Sequence, residues 1–129
     1  MYGKDNPGSG ADIGFFMTTN ASLKVSAIFY SGTTSSGLGG RTTLSINTWY
    51  YIKWYRSNGT SYLYVNNNFE GASPTTSFIN APGMGWTLKY GQYSTPQPLQ
   101  FGGYLDDWRI TKGYARIGPT MPTAPFPNQ

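Results

Sequence analysis

Apolar and polar positions alternate with a period of two in several short stretches of the chain. Leu23, Val25, Ala27 and Phe29 occupy alternate positions between Leu23 and Tyr30. Trp49 to Arg56 and Ser61 to Asn66 show the clearest alternation, and Ser57-Asn58-Gly59-Thr60 lies between them. Successive side chains of a strand point to opposite faces, and Asn-Gly between two such runs is a strong hairpin signal. The pattern also predicts strands at Ala11 to Met17, Arg41 to Ile46, Phe69 to Ala72, Thr87 to Gly91 and, as a long one, Tyr104 to Thr111. Ser31 to Gly40 is rich in Gly, Ser and Thr and reads as a loop, with Gly39 and Gly40 as turn or bulge glycines. Asn66-Asn67-Asn68 reads as a turn, because Asn tolerates positive φ. Pro119, Pro122, Pro125 and Pro127 keep the tail from Gly118 to Gln129 out of any central strand and predict an extended surface course. No helical period is sustained and no repeat is visible. The expected fold is all-β, an antiparallel β-sandwich over residues 1–117 followed by a Pro-rich tail over 118–129.

The hairpin gives the sharpest expectation. Tyr50, Ile52 and Trp54 share one face of the first strand, and Leu63 and Val65 share one face of the second. Matching the aliphatic sets puts Ile52, Trp54, Leu63 and Val65 in the core. The outer face then carries Tyr51, Lys53, Tyr55, Tyr62 and Tyr64. A solvated sheet face normally shows Thr, Lys, Glu and Ser, so this clustering of tyrosines calls for an account. One reading covers it with loops or the Pro-rich tail, or uses Tyr simply as a good cross-strand residue. The other gives it an outside partner, a neighbouring subunit or a glycan, since a phenol ring suits both.

Composition narrows the classes. The chain has 129 residues, enough for one domain. Charged residues are 11%, less than half the usual share, while aromatics are 17%, with 17 Gly and 9 Pro. That excludes a helix bundle, a coiled coil or a doubly wound α/β enzyme, and an aromatic-rich chain is not a disordered one. With no Cys and no His, thiol and imidazole chemistry are absent and a metal could use only oxygen ligands. The net charge of +4 comes from scattered basic residues, so nucleic acid is not expected. No stretch approaches the roughly 20 apolar residues of a membrane-spanning helix, and MYGKDNPGSG does not have a signal-peptide pattern.

Among candidate site residues, Asp106 and Asp107 are the paired carboxylates. Neighbours on a strand face opposite ways, so they cannot flank one glycosidic bond. A structural role is expected, pairing with Arg109 or accepting a backbone N–H near a turn. The alternative is an oxygen-only calcium site built on Asp106 or Asp107. Arg109, Lys112 and Arg116 lie close in sequence and offer a small basic patch. Trp86, Tyr90 and Tyr93 lie near expected loops and join the candidate ligand or subunit contacts, while Trp108 is expected in the core. No other cofactor is implied.

Two segments carry a family resemblance. TLSINTWYYIKWYRSNGTSYLYVNNNFEGA, from Thr43, resembles the central strands of laminin G-like, concanavalin A-type jelly rolls. GGYLDDWRITKGYARIGPTMPTAPFP is similar to the closing segment of laminin G-like modules of bacteriophage virion proteins. The similarity is close from Thr43 onward and loose over Ala11 to Tyr30. It implies a jelly-roll sandwich lacking the usual N-terminal strands, as a fragment of a longer protein, a module completed by its neighbours, or a shortened sandwich whose open edge the Pro-rich tail covers. It further implies a non-catalytic structural or adhesion module on the virion surface (tail fibre, spike or capsid decoration) with other virion proteins or copies of itself as partners. A host surface glycan is a candidate ligand under this reading. The alternatives are a purely structural assembly protein without a glycan ligand, or an accessory carbohydrate-binding domain of a larger polysaccharide-degrading enzyme.

Overall fold

The computed structural model of the chain describes residues 12–19, 22–32, 34–75, 103–107, 109–111, 113–118 and 120–124. Among these there is no helix, and so none long and apolar enough to cross a membrane. The described residues hold six strands: β1 (Asp12–Thr19), β2 (Lys24–Gly32), β3 (Thr34–Thr43), β4 (Ile52–Ser57), β5 (Thr60–Val65) and β6 (Asn68–Pro74). They form two antiparallel three-stranded sheets, ordered β1-β2-β3 and β4-β5-β6. Each sheet is a meander of consecutive strands, as short turns between antiparallel neighbours favour.

The β4–β5 hairpin has the expected register, with Ile52 opposite Val65, Trp54 opposite Leu63 and Tyr55 opposite Tyr62. Asn58 (φ +49°) and Gly59 (φ +73°) both sit in the left-handed region, as a primed two-residue turn requires. Burial alternates along β5, where Ser61, Leu63 and Val65 are buried and Tyr62 and Tyr64 half-buried. Leu63 and Val65 join Val25, Ala27 and Leu38 in a core that both sheets share. Leu44, Tyr50, Ile52 and Trp54 pack around it.

Expectations are corrected in two regions of the chain. Ser31 to Gly40 is mostly strand, not loop: β3 pairs with β2 from Thr34 opposite Ser31 to Gly39 opposite Ser26. Tertiary pairing overrides the weak strand preference of Gly and Ser, and Leu38 supplies the apolar anchor. Gly40 does lie in a bulge, since Gly40, Arg41 and Thr42 all face the single position Val25. A Cβ on Gly40 would stand 2.9 Å from the Val25 carbonyl oxygen, so a side chain there would force the backbone to shift. β3 ends at Thr43, short of the expected Ile46. The second correction concerns Tyr104 to Thr111, which forms no strand at its described residues 104–107 and 109–111. Positive φ at Asp107 (+49°) interrupts the extended geometry a ladder needs. The expected strand at Thr87 to Gly91 and the core position of Trp108 lie outside the described residues.

β3 and β6, one edge strand from each sheet, run side by side. At one level the Ser36 hydroxyl donates to the Pro74 carbonyl at 3.1 Å. At the other, the Glu70 carboxylate receives the backbone N–H groups of Arg41 and Thr42, the latter at 2.7 Å, and the Thr42 hydroxyl at 2.6 Å. Glu70 is only 2% exposed. Burial acts to raise its pKa, but the hydroxyl and amide donors outweigh that and lower it, so the carboxylate stays charged. One side chain thus satisfies donors at the bulge that the ladder leaves open.

These contacts set the two ends of the body. The first end holds the turn at Ser22-Leu23, the connection 44–51 and the turn at Asn66-Asn67; the second holds the Asn58-Gly59 turn and the exit of β6. Thr75 locks the second end. Its N–H donates to the Gly59 carbonyl at 2.7 Å, its hydroxyl to the Ser61 hydroxyl at 2.6 Å, and its carbonyl accepts from Arg56 Nη2 at 2.7 Å.

Candidate contact face

The register of β4 and β5 puts Lys53, Tyr55, Tyr62 and Tyr64 on the outer face. Tyr51 extends it, because Asn66 splices the strand entry: the Asn66 N–H donates to the Tyr51 carbonyl at 2.7 Å, and Asn66 Oδ1 accepts the Tyr51 N–H at 2.9 Å. The Tyr55 and Tyr62 rings stack with centroids 4.9 Å apart and planes 16° apart. Tyr55 and Tyr64 stack at 6.0 Å and 12°. These separations lie in the favourable range for offset stacking. All three rings are half-buried, so each keeps surface for a partner.

Phe69 belongs to the same face and was not singled out from sequence. It lies opposite Tyr64 in the β5–β6 register, with the rings tilted at 5.4 Å. The Asn66-Asn67 turn was the signal that could have found it, since a tight turn there returns Phe69 beside Tyr64.

The other end of the face is cationic and partly covered. Lys53 Nζ donates to the Gly118 carbonyl at 2.6 Å and lies 5.6 Å from the Tyr55 ring centroid. That contact holds Gly118 at the Lys53 end, and the Arg109 and Arg116 charges act on Tyr51 there. Desolvation raises the Tyr51 pKa, and the nearby Arg116 and Arg109 charges oppose it. Desolvation lowers the Lys53 pKa, and the Arg116 charge lowers it further. Desolvation also raises the Tyr64 pKa, together with its hydrogen bond to Tyr55 and the neighbouring Tyr55 and Tyr62 phenols. At neutral pH Tyr51 and Tyr64 are therefore uncharged, each phenol able to donate and accept. The face offers flat apolar rings, hydroxyl groups and a cationic margin.

The remaining sequence candidates are dispersed or undescribed. Asp106 and Asp107 are exposed, and Asp106 Oδ1 accepts the Asp107 N–H at 2.9 Å, the backbone-capping role expected near a turn. No three Asp or Glu side chains gather to hold a metal ion among the described residues. Arg56 grips the Thr75 carbonyl. Trp86, Tyr90, Tyr93 and Lys112 lie outside the described residues.

No family model matches the chain, and no curated protein matches it. Among solved structures, residues 221–444 of an S-layer domain-containing protein from Clostridium thermocellum ATCC 27405 align with a TM-score of 0.41 and 20% identity. The alignment covers 87% of this chain and 56% of that one. A likeness of that size assigns neither a fold family nor a role.

Proposed function

We propose that the chain is a non-catalytic contact module of a bacteriophage virion surface protein, a laminin G-like jelly-roll sandwich that acts through its tyrosine face. The observation that carries this reading is the stack of Tyr55, Tyr62 and Tyr64 on the outer side of β4 and β5, extended by Phe69. Stacked, half-buried phenols on a backbone fixed by cross-strand pairing form a preorganised surface, and aromatic side chains are enriched at protein interfaces. The virion setting and the jelly-roll form are supported by the sequence resemblance from Thr43 onward. The partner in this reading is another virion protein, with a host glycan as the competing ligand.

The test is the double variant Tyr51→Ala plus Tyr62→Ala, read in an assembled particle. An assembly contact predicts lower occupancy of the module and unchanged cell binding per incorporated copy. A glycan contact predicts normal occupancy and lost cell binding, with hits for the parent chain on a glycan array. Unchanged occupancy together with unchanged cell binding refutes a contact role for this face.

A further inference from the structure

A second surface adjoins the tyrosine face at the first end of the body and meets it at Phe69. Among the residues of 22–75 whose side chains are described, the large apolar ones that stand exposed are Leu23, Ile46, Trp49 and Phe69, and all four lie at the first end of the body. Ile46 is 79% exposed and Trp49 68%. Their connection is nonetheless tied down. The Leu44 N–H donates to the Leu23 carbonyl at 2.8 Å, the Ser45 N–H to the Tyr50 hydroxyl at 2.9 Å, and the Thr48 hydroxyl to the Ile46 carbonyl at 3.2 Å. Ile46 and Trp49 therefore project from a fixed turn, so a partner that covered them would have little ordering entropy to overcome.

The exposed charge at this end is basic, while the buried Glu70 carboxylate offsets part of the Arg41 charge. Arg41 is exposed near the end of β3, and Lys53 and Arg116 lie beside Tyr51. Of the carboxylates in the described strands, Asp12 starts β1 at the opposite end and Glu70 is buried against β3. The first end is apolar in the middle and basic around it.

The complementary character occurs in the same chain. Tyr104 is 85% exposed, Leu105 is exposed, and Asp106 beside them is exposed and acidic. This stretch lies in no strand, and its apolar side chains are not covered by its own body.

We infer that Tyr104-Leu105-Asp106 of one copy docks on the first end of a second copy, with Tyr104 and Leu105 over Ile46 and Trp49 and Asp106 toward Arg41. Two identical first ends would bring Arg41 and Arg116 against their own kind, which disfavours a face-to-face dimer. A bilayer is also disfavoured. Asn47 and Thr48 separate Ile46 from Trp49, and insertion would carry the exposed Asn47 amide into hydrocarbon. A contact between two different patches is heterologous, so it propagates into a ring or an open chain.

Sedimentation equilibrium of the full chain from about 1 μM to about 1 mM spans the affinities a modest interface gives. The mass should rise with concentration, and added salt should oppose the rise. Trp49→Ser and, separately, Tyr104→Ser with Asp106→Lys should each weaken association at least about 30-fold. Ile46→Ser reads the same docking surface independently, and all these side chains are exposed, so a fluorescence melt should report folded variants. An equimolar mixture of Trp49→Ser with the Tyr104→Ser, Asp106→Lys chain should form a heterodimer and nothing larger, because one supplies the arm and the other the surface.

Four results overturn the inference: a wild-type chain monomeric throughout, a mixture that stays monomeric, association that survives either variant, or growth of the mixture beyond the heterodimer. Binding of the wild type to vesicles of mixed phosphatidylcholine and phosphatidylserine, lost in Trp49→Ser, would assign the surface to lipid and overturn it as well. Because the tyrosine face is not altered, failure here is distinct from failure of the proposed function.

Discussion

Replacing Glu70 with Ala removes three hydrogen bonds that join the sheets, those from the Arg41 and Thr42 N–H groups and the Thr42 hydroxyl. A hydrogen bond to a charged group contributes about 1.5–3 kcal/mol. A simple sum overstates the loss, because Arg41 is exposed and Thr42 half-buried, so water can reach part of the vacated site. A net destabilisation of about 3 kcal/mol is expected, comparable to removing one partner of a buried ionic contact. With a urea slope of about 1–3 kcal/mol/M, the midpoint should fall by about 1–3 M. Glu70→Gln keeps an oxygen for the two amides but turns an NH2 toward the Thr42 hydroxyl, and should cost about 1 kcal/mol. Acid adds a second reading. The folded pKa of Glu70 is lowered, so between it and the unfolded value of about 4.3 the unfolded chain binds more protons. Its contribution is therefore complete above the unfolded value and is lost as pH falls through the folded one. Wild-type stability should drop across that acidic window, and the Glu70→Ala chain should drop less steeply. A Glu70→Ala effect below about 0.5 kcal/mol, or identical acid limbs for the two chains, would refute the bridging role.

Other expectations follow from the same geometry. Leu63→Ala empties a fully buried position shared by both sheets and should cost about 3 kcal/mol in urea unfolding. Gly40→Ala drives a Cβ toward the Val25 carbonyl and should cost about 1–3 kcal/mol, with the loss seen as a lower melting temperature. Gly59→Ala holds a Cβ at φ +73° and should cost about 1 kcal/mol while leaving the core intact. Lys53→Met frees the Gly118 carbonyl, so trypsin should cut faster at Arg109 and Arg116 with the melting temperature nearly unchanged; an unchanged digestion rate would show that Lys53 does not retain this segment.

The hairpin was legible because two signals agreed. Period-two alternation fixed the faces, and Asn58-Gly59 fixed the register, so the core residues and the tyrosine row followed together. β3 was hidden for the opposite reason. Its Gly, Ser and Thr residues have little local strand preference, and the strand forms from pairing with β2 and from Glu70, far away in sequence. Glu70 itself sits in Phe69-Glu70-Gly71, where nothing local marks a carboxylate that must accept backbone donors from another sheet. Tyr104 to Thr111 shows the converse error: a strand-like composition that finds no ladder where it is described. Phe69 was within reach, because the turn before it determines what it faces.

The division of the body into two meanders bears on how it folds. Every described ladder in the two sheets joins strands that are consecutive in the chain, so each meander closes over short loops at small entropic cost. The seam between β3 and β6 is the long-range step. We expect each half to gain its pairing early and the halves to mate late, so that Glu70 variants accelerate unfolding while leaving the refolding rate nearly constant.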